Sequence, residues 1–430
     1  MKLGVRAQIF AATWLSYAGF YVTRKVFNVV KHPIKEALTL DDAGVANLWT
    51  TFLVAYALGQ FFSAWLSRRM SNRTQVLLGM STSVACSLAT GALLPLGHDA
   101  LPLLFVVLAV HGVAQATGWP CNIGLMARWT EKKERGRVMA VWATCYQLGA
   151  VFAKAFAAFF FGWLGLAWSF YAAAGALAVI TVVFAVCVKE KPEDAGLPPY
   201  PDDDPSDADD ADDDVAPAVD AGGGEPPRTA RAGREQMLLV VAMGVIYFAF
   251  KFCRYALDDW SALILGEHFH IATDVAGYLS TAFDWIGFVG VLAAGWASDK
   301  IFGGSRLNTI AVLTVGCVVV TSLMYGLGLS SPYAFVIFLG LVGFMVMGPD
   351  SLFSGAGAMD SGSREQAARA AGIINGCGAI GPIVQERLIG QLKGDYGDDV
   401  VFLVMVVMTV LAAIGVGAFW LTLRRLKIRL

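Results

Sequence analysis

Charge is scarce in this chain. Of its 430 residues only 15% are Asp, Glu, Lys or Arg, while 57% are hydrophobic. A soluble protein of this size could not cover so much apolar surface. The seven Cys are scattered, mostly within apolar stretches, and none forms a CxxC pair, while the five His show no ligand spacing. Neither a disulfide framework nor a metal site is expected, and no cofactor. The free Cys read as small apolar filler. The alternating pattern of a membrane barrel is missing too. No nucleophile–base constellation stands at an accessible site, and the glycines of "GAGAMDSG" at 355–362 end a helix rather than follow a strand, which argues against an enzyme.

What the chain has instead is apolar runs of membrane-crossing length. Twelve stand near 8–30, 45–66, 75–96, 102–126, 136–161, 168–188, 237–258, 276–297, 308–329, 334–357, 369–391 and 400–423. The expectation is an all-α membrane protein of twelve transmembrane helices in a lipid bilayer. Lys and Arg crowd one set of loops (Arg68, Arg69, Arg73, Arg128, Lys132, Lys133, Arg135, Arg137, Lys300, Arg306, Arg364, Arg369) and both ends of the chain. The opposite loops carry only Lys31, Lys35 and Lys393. The positive-inside rule puts both termini in the cytoplasm, and a bacterial inner membrane is the expected location. "MKLGVRAQIF" offers no small-residue cleavage site, so the first run reads as a retained helix. The run "EKKERGR" at 131–137 reads as orientation charge that pairs with acids of neighbouring loops, not as a nucleic-acid patch.

Residues 191–235 break the pattern, and from 199 onward Asp, Pro, Ala and Gly dominate. Such a segment buries too little apolar surface to fold. It divides the chain into two six-span halves, 1–190 and 236–430. The halves look like copies. In "YAGFYVTRKVFN" and "YFAFKFCRYALD", Tyr17, Tyr21, Arg24 and Asn28 fall at the offsets of Tyr247, Lys251, Arg254 and Asp258, one stripe along a helix in each case. "AWLSRR" at 64–69 likewise matches "GWASDK" at 295–300. Two six-helix halves in parallel repeat describe the major facilitator fold, with a site at mid-membrane between them.

A cation at the bilayer centre costs at least ~2.5–3.5 kcal/mol, and Arg cannot shed its proton. Arg24 and Arg254 must therefore snorkel, pair or face a watery cavity. Each shares its stripe with Tyr and another polar group, which favours the cavity. Two guanidinium forks from opposite halves suit a dianion with several oxygens: inorganic phosphate or a phosphate ester. A ligand bridging both would let the halves close and rock about it, favouring exchange. Two rivals stand beside this reading. One is a proton-coupled organic-anion symporter, the other a membrane sensor of sugar phosphates.

The stretches "YVTRKVF" (21–27), "GWPCNIGLMARWTEKKERGRVMAVW" (118–142), "RYALDDW" (254–260) and "GWASDKIFGGSR" (295–306) resemble the organophosphate:phosphate antiporter family. The resemblance implies exchange of inorganic phosphate against a sugar or glycerol phosphate. It also implies phosphate-binding roles for Arg24 and Arg254, with Tyr17 and Tyr21 beside the first, and an acidic role for Asp284 in the eighth span. This chain departs from the glycerol-phosphate branch in having Gln60 in place of a Lys and Tyr146 in place of a His. Lys251 and Lys154 add cations elsewhere, so a larger or more anionic ester is as well suited as glycerol-3-phosphate. Substrate-binding candidates are thus Arg24, Arg254, Lys251, Tyr17, Tyr21, Tyr146, Gln60, Lys154 and Tyr247. Coupling or salt-bridge candidates are Asp284, Asp350, Asp258, Glu386 and Arg387, since acids within spans are functional suspects. For Asp350 the alternatives are a salt bridge to Lys154 or Lys251, or a cap after Pro349. Adjacent residues point about 100° apart on a helix, so Glu386 and Arg387 cannot face one point. "GWP" at 118–120 is expected to kink or thin the fourth helix. The protein is expected to work as a monomer.

Overall fold

A bilayer offers no water to an unpaired backbone group, so a chain with these apolar runs satisfies its peptide groups inside helices. The computed structural model describes residues 2–67, 69–131, 134–198, 230–303, 305–353 and 364–426. Among them every long element is a helix. The first half holds α1 (Lys2–Val29), α2 (Lys31–Ala37), α3 (Asp42–Leu66), α4 (Asn72–Leu93), α5 (Leu101–Ala116), α6 (Gly118–Arg128), α7 (Arg135–Trp142), α8 (Thr144–Leu164) and α9 (Leu166–Cys187). The second holds α10 (Ala230–His268), α11 (Thr273–Ser280), α12 (Ala282–Lys300), α13 (Arg306–Leu327), α14 (Pro332–Ser351), α15 (Arg364–Tyr396) and α16 (Asp399–Leu426).

Short polar caps start several helices. Asp41, Ser71, Ser305 and Ser331 accept the backbone N–H three residues on, at the heads of α3, α4, α13 and α14. Nine stretches among the described residues are long and apolar enough to cross a membrane, one of them, Asn72–Arg128, holding two expected spans. The helices α1 and α15 fall short of that measure because polar side chains interrupt them. Those polar residues are the ones the candidate site uses.

Three spans are broken along their length: α5 passes to α6 at Thr117, α7 to α8 at Ala143, and α11 to α12 at Thr281. The first break lies at "GWP". A Cβ on Gly118 would stand 2.9 Å from the Phe20 ring, so only Gly lets α1 approach here. The seventh span differs from expectation. It does not end at 258; α10 runs on to His268 and puts Arg254 near the centre of its apolar window, Val240–His268. Its Asp258 and Asp259 are buried against groups of the other half rather than ending the span.

The acidic segment 199–229, Arg68, Lys132, Lys133 and the "GAGAMDSG" stretch lie outside the described residues, as do the side chains of Arg135 and Arg137. Helix α10 begins at Ala230, inside the stretch 191–235 expected to be linker. On the Arg-rich face, Arg6 meets Glu131 at 3.5 Å and Arg128 meets Glu190 at 3.6 Å.

Candidate functional site

The Arg24 stripe of α1 faces aromatic walls. The guanidinium lies 5.1 Å from the Tyr21 ring centre, 4.6 Å from Tyr56 and 5.8 Å from Phe52. Its Nε donates to Gln115 Oε1 at 3.2 Å. The Gln115 amide is held in turn by Phe20 O, Thr23 Oγ1 and His111 Nε2 at 3.1, 2.9 and 3.1 Å. One nitrogen is left over: Arg24 Nη2 is buried with no hydrogen-bond partner among the described residues. Tyr17 lies edge-on to Tyr21 at 5.6 Å and beside Trp119 at 5.1 Å.

Arg254, on α10, has a carboxylate neighbour, and Arg24 has none among the described residues. Arg254 Nη1 meets Asp350 Oδ2 at 2.5 Å, and the other oxygen of Asp350 lies 3.3 Å from Lys251 Nζ. Asp350 is thus no helix cap, and of the two expected lysines it takes Lys251. The Arg254 guanidinium stands 5.7 Å from the Tyr146 ring of the first half and 5.9 Å from Tyr255. Its Nε is buried and without a hydrogen-bond partner among the described residues. A run of ring contacts, Tyr21 to Tyr17 to Trp119 to Tyr146, leads from one guanidinium to the other. The two cations therefore flank one aromatic chamber rather than separate pockets. Lys251, Tyr146, Tyr255, Tyr56 and Gln60 keep partial exposure, as a reachable chamber requires.

A second cluster lies one turn further along. Lys25 donates to Asp258 at 2.6 Å and lies 3.8 Å from Asp259. Lys154 bridges Asp258 and Asp284 at 2.8 and 2.7 Å. Asn28 and Trp49 both donate to Asp259. This corrects one expectation. Lys154 is no free cation for substrate, because two carboxylates of the other half enclose it at 1% side-chain exposure. Asp258 and Asp284 are ion-paired partners of the first half.

Beyond this cluster the halves are latched again. Lys31 meets Glu386 at 2.7 Å with both side chains fully buried, and Trp260 Nε1 donates to the same carboxylate at 2.8 Å. Glu386, a coupling or salt-bridge candidate, thus forms a pair between the halves. Arg387 turns the other way, as the helix geometry requires, and lines an outer groove of 630 Å³ with Asn47, Thr50 and Phe105. No ion pair to it is seen among the described residues, against the expectation of a salt bridge. Nearest the surface, Lys35 and Lys393 join Asp42 and Glu267 at 2.6 to 3.1 Å. Every hydrogen bond and ion pair between the halves among the described residues lies on the α2 side of the chamber. That side is shut.

Lys25, Asp259, Tyr56, Tyr255, Gln115 and His111 escaped the sequence reading. Lys25 carried a usable signal, since a second cation beside Arg24 incurs the same cost and needs a partner. The others are ordinary residues until the fold assembles them.

Comparison with known proteins fits this architecture. The family model for the Major Facilitator Superfamily matches residues 10–384. A glycerol-3-phosphate transporter of Haemophilus influenzae is 26% identical, covering 95% of this chain and 90% of its own. The membrane sensor protein UhpC of Escherichia coli is 27% identical over 86% and 82%. Sugar phosphate exchanger 3 of Bos taurus is 24% identical over 93% and 90%. Among solved structures, a bacterial homolog of the human lysosomal transporter Spinster superposes with a TM-score of 0.73 at 15% identity, over 99% of this chain and 98% of that one. At that identity the match shows the fold alone. The chain is an integral, multi-pass membrane protein that belongs to the Major Facilitator Superfamily of membrane transporters, and its relatives among glycerol-3-phosphate transporters and sugar phosphate exchangers make the organophosphate:phosphate antiporter family the one it resembles.

Proposed function

We propose that this protein exchanges an organophosphate for inorganic phosphate by alternating access, in a bacterial inner membrane with both termini cytoplasmic, and that Arg24 and Arg254 grip the phosphoryl group together. One observation carries the reading. Each half presents a buried arginine nitrogen that has no hydrogen-bond partner among the described residues, Nη2 of Arg24 and Nε of Arg254, and both guanidinium groups lie against tyrosine rings. A buried charged donor left unpaired is expensive, and a phosphoryl group has oxygens enough for both. Tyr17, Tyr21, Tyr146, Tyr247 and Gln60 would serve the remainder of the ligand.

With the α2 side latched, substrate enters from the Arg-rich side. The bound dianion screens the repulsion between the two guanidinium groups and lets the halves close on that side. The latch of Lys25, Lys31, Lys35 and Lys154 with its carboxylates can then open. An empty carrier keeps the repulsion and resists closing, so exchange outpaces leak. In proteoliposomes loaded with phosphate, Arg24→Gln and Arg254→Gln should each abolish uptake of labelled phosphate. Near-normal exchange in either variant sinks the proposal.

The likeness to a membrane sensor protein keeps a second reading open, in which ligand binds without flux. Saturable phosphate binding with no counterflow would favour it. A proton-coupled symporter finds less support, because Asp284, Asp350 and Glu386 are each ion-paired.

A further inference from the structure

Around the chamber stand three cations, Arg24, Lys251 and Arg254, and one carboxylate, Asp350. The set carries two net positive charges. The neighbouring cluster offers no spare cation, since Lys25 and Lys154 face Asp258, Asp259 and Asp284, one carboxylate too many. The repeat sharpens the point. Three residues before each arginine the first half has Tyr21, whereas the second has Lys251. The added cation does not stand free. Asp350 reaches from α14 to span Lys251 and Arg254 with its two oxygens. A lysine meant for a third anionic charge would have been left as bare of carboxylates as Arg24.

We propose that Asp350 sets the charge count of the site and thereby its substrate class: phosphate monoesters with two negative charges and a neutral, hydroxylated remainder are accepted, and esters bearing an extra carboxylate are rejected. The inference rests on the phosphate-ester reading above and reverses the expectation of a more anionic ligand drawn from Lys251 and Lys154. A phosphate monoester carries close to two charges at neutral pH, its second pKa being about 6, which matches the chamber. A carboxylate added to the ester brings a third charge that meets Asp350 and no free cation. The Lys251–Asp350 pair is neutral as a unit and offers a sugar both donors and acceptors, while the aromatic rings cover its apolar faces.

The test is competition against labelled phosphate in phosphate-loaded proteoliposomes at pH 7.5. Glucose-6-phosphate and 3-phosphoglycerate differ by one charge. In the wild-type protein glucose-6-phosphate should compete better by about tenfold or more, a difference of about 1.4 kcal/mol. Asp350→Asn should erase or invert that ratio, and Lys251→Gln combined with Asp350→Asn, which strands no charge, should restore it. Equal competition in the wild type overturns the proposal without any variant being needed. So does an unmoved ratio in Asp350→Asn, or a double variant that stays inverted. A wild-type protein exchanging no phosphate would fail at the control, bringing down the transport reading and this proposal with it. Intact self-exchange with the wrong ratio bears on Asp350 alone.

Discussion

At the scale of single residues, the chamber separates two kinds of arginine. Arg24 is held by a neutral amide and aromatic faces, Arg254 by a carboxylate. Replacing Arg24 with Lys keeps the charge but loses the planar fork. Phosphate exchange should fall by at least about tenfold, the loss expected when a bidentate pair becomes a point contact; counterflow rates read it directly. Gln115→Leu should act in the same direction, because it removes the acceptor that aims Arg24 and leaves the guanidinium with a second unpaired donor. Glu386 belongs to a different class. Its removal in Glu386→Gln leaves Lys31 buried without a counter-charge, which costs about 3–5 kcal/mol. A lowered melting temperature with unchanged substrate preference is the expected outcome, and an altered preference at full stability would place Glu386 at the ligand instead. The stripe Tyr17–Tyr21–Arg24 and its repeat were legible in the sequence because charge and periodicity both mark them. Glu386's partner was not, since Lys31 lies 355 positions away and looked like a loop charge.

At the scale of elements, the shut side depends on small residues where helices cross. A Cβ on Gly390 of α15 would stand 2.3 Å from that of Ala46 on α3, and one on Gly277 of α11 would stand 2.7 Å from Val29 on α1. Gly390→Val should therefore wedge α15 away from α3 and shift the protein toward opening on the α2 side. A cysteine placed at Asp259 would then label faster with a water-soluble maleimide, and unchanged labelling would show that α3 and α15 tolerate the bulk. Above this crossing Lys35 keeps its charge through neutral pH. Burial of Lys35 disfavours its charged form, yet hydrogen bonds to Asp42 and Glu267 outweigh that and raise its pKa above the usual lysine value. A raised lysine stabilises at every pH below its unfolded pKa of about 10.4 and loses that stabilisation only as pH climbs through the folded value. This link of the latch is thus intact across the physiological range.

At the scale of the whole molecule, the latch and the chamber are coupled by adjacency. Arg24 and Lys25 are neighbours on α1, and Arg254 and Asp258 sit one turn apart on α10, so a ligand that moves the first of each pair disturbs the second. If alternating access is right, pinning the latch must stop transport. Cysteines replacing Lys35 and Glu267, which meet at 2.7 Å, on a background free of the seven native Cys, should cross-link with a short bifunctional thiol reagent and abolish exchange. Full exchange by the cross-linked protein would refute rocking of the halves about the site.

By itself the sequence determined what each stretch of chain has to do in a membrane. Apolar runs must be helices, because nothing else satisfies a backbone in hydrocarbon. Cations within them must find partners, and two matching stripes must belong to a repeated half. Only the tertiary structure decided who those partners are. It showed α10 running past Asp258 and Asp259, because cations and donors of the other half neutralise them. It turned Lys154 from a substrate candidate into a latch, and Asp350 into the counter-charge of Lys251 and Arg254. The reason is that ion pairing depends on distance in space, whereas periodicity within one helix says which way a side chain points but not what waits across the interface.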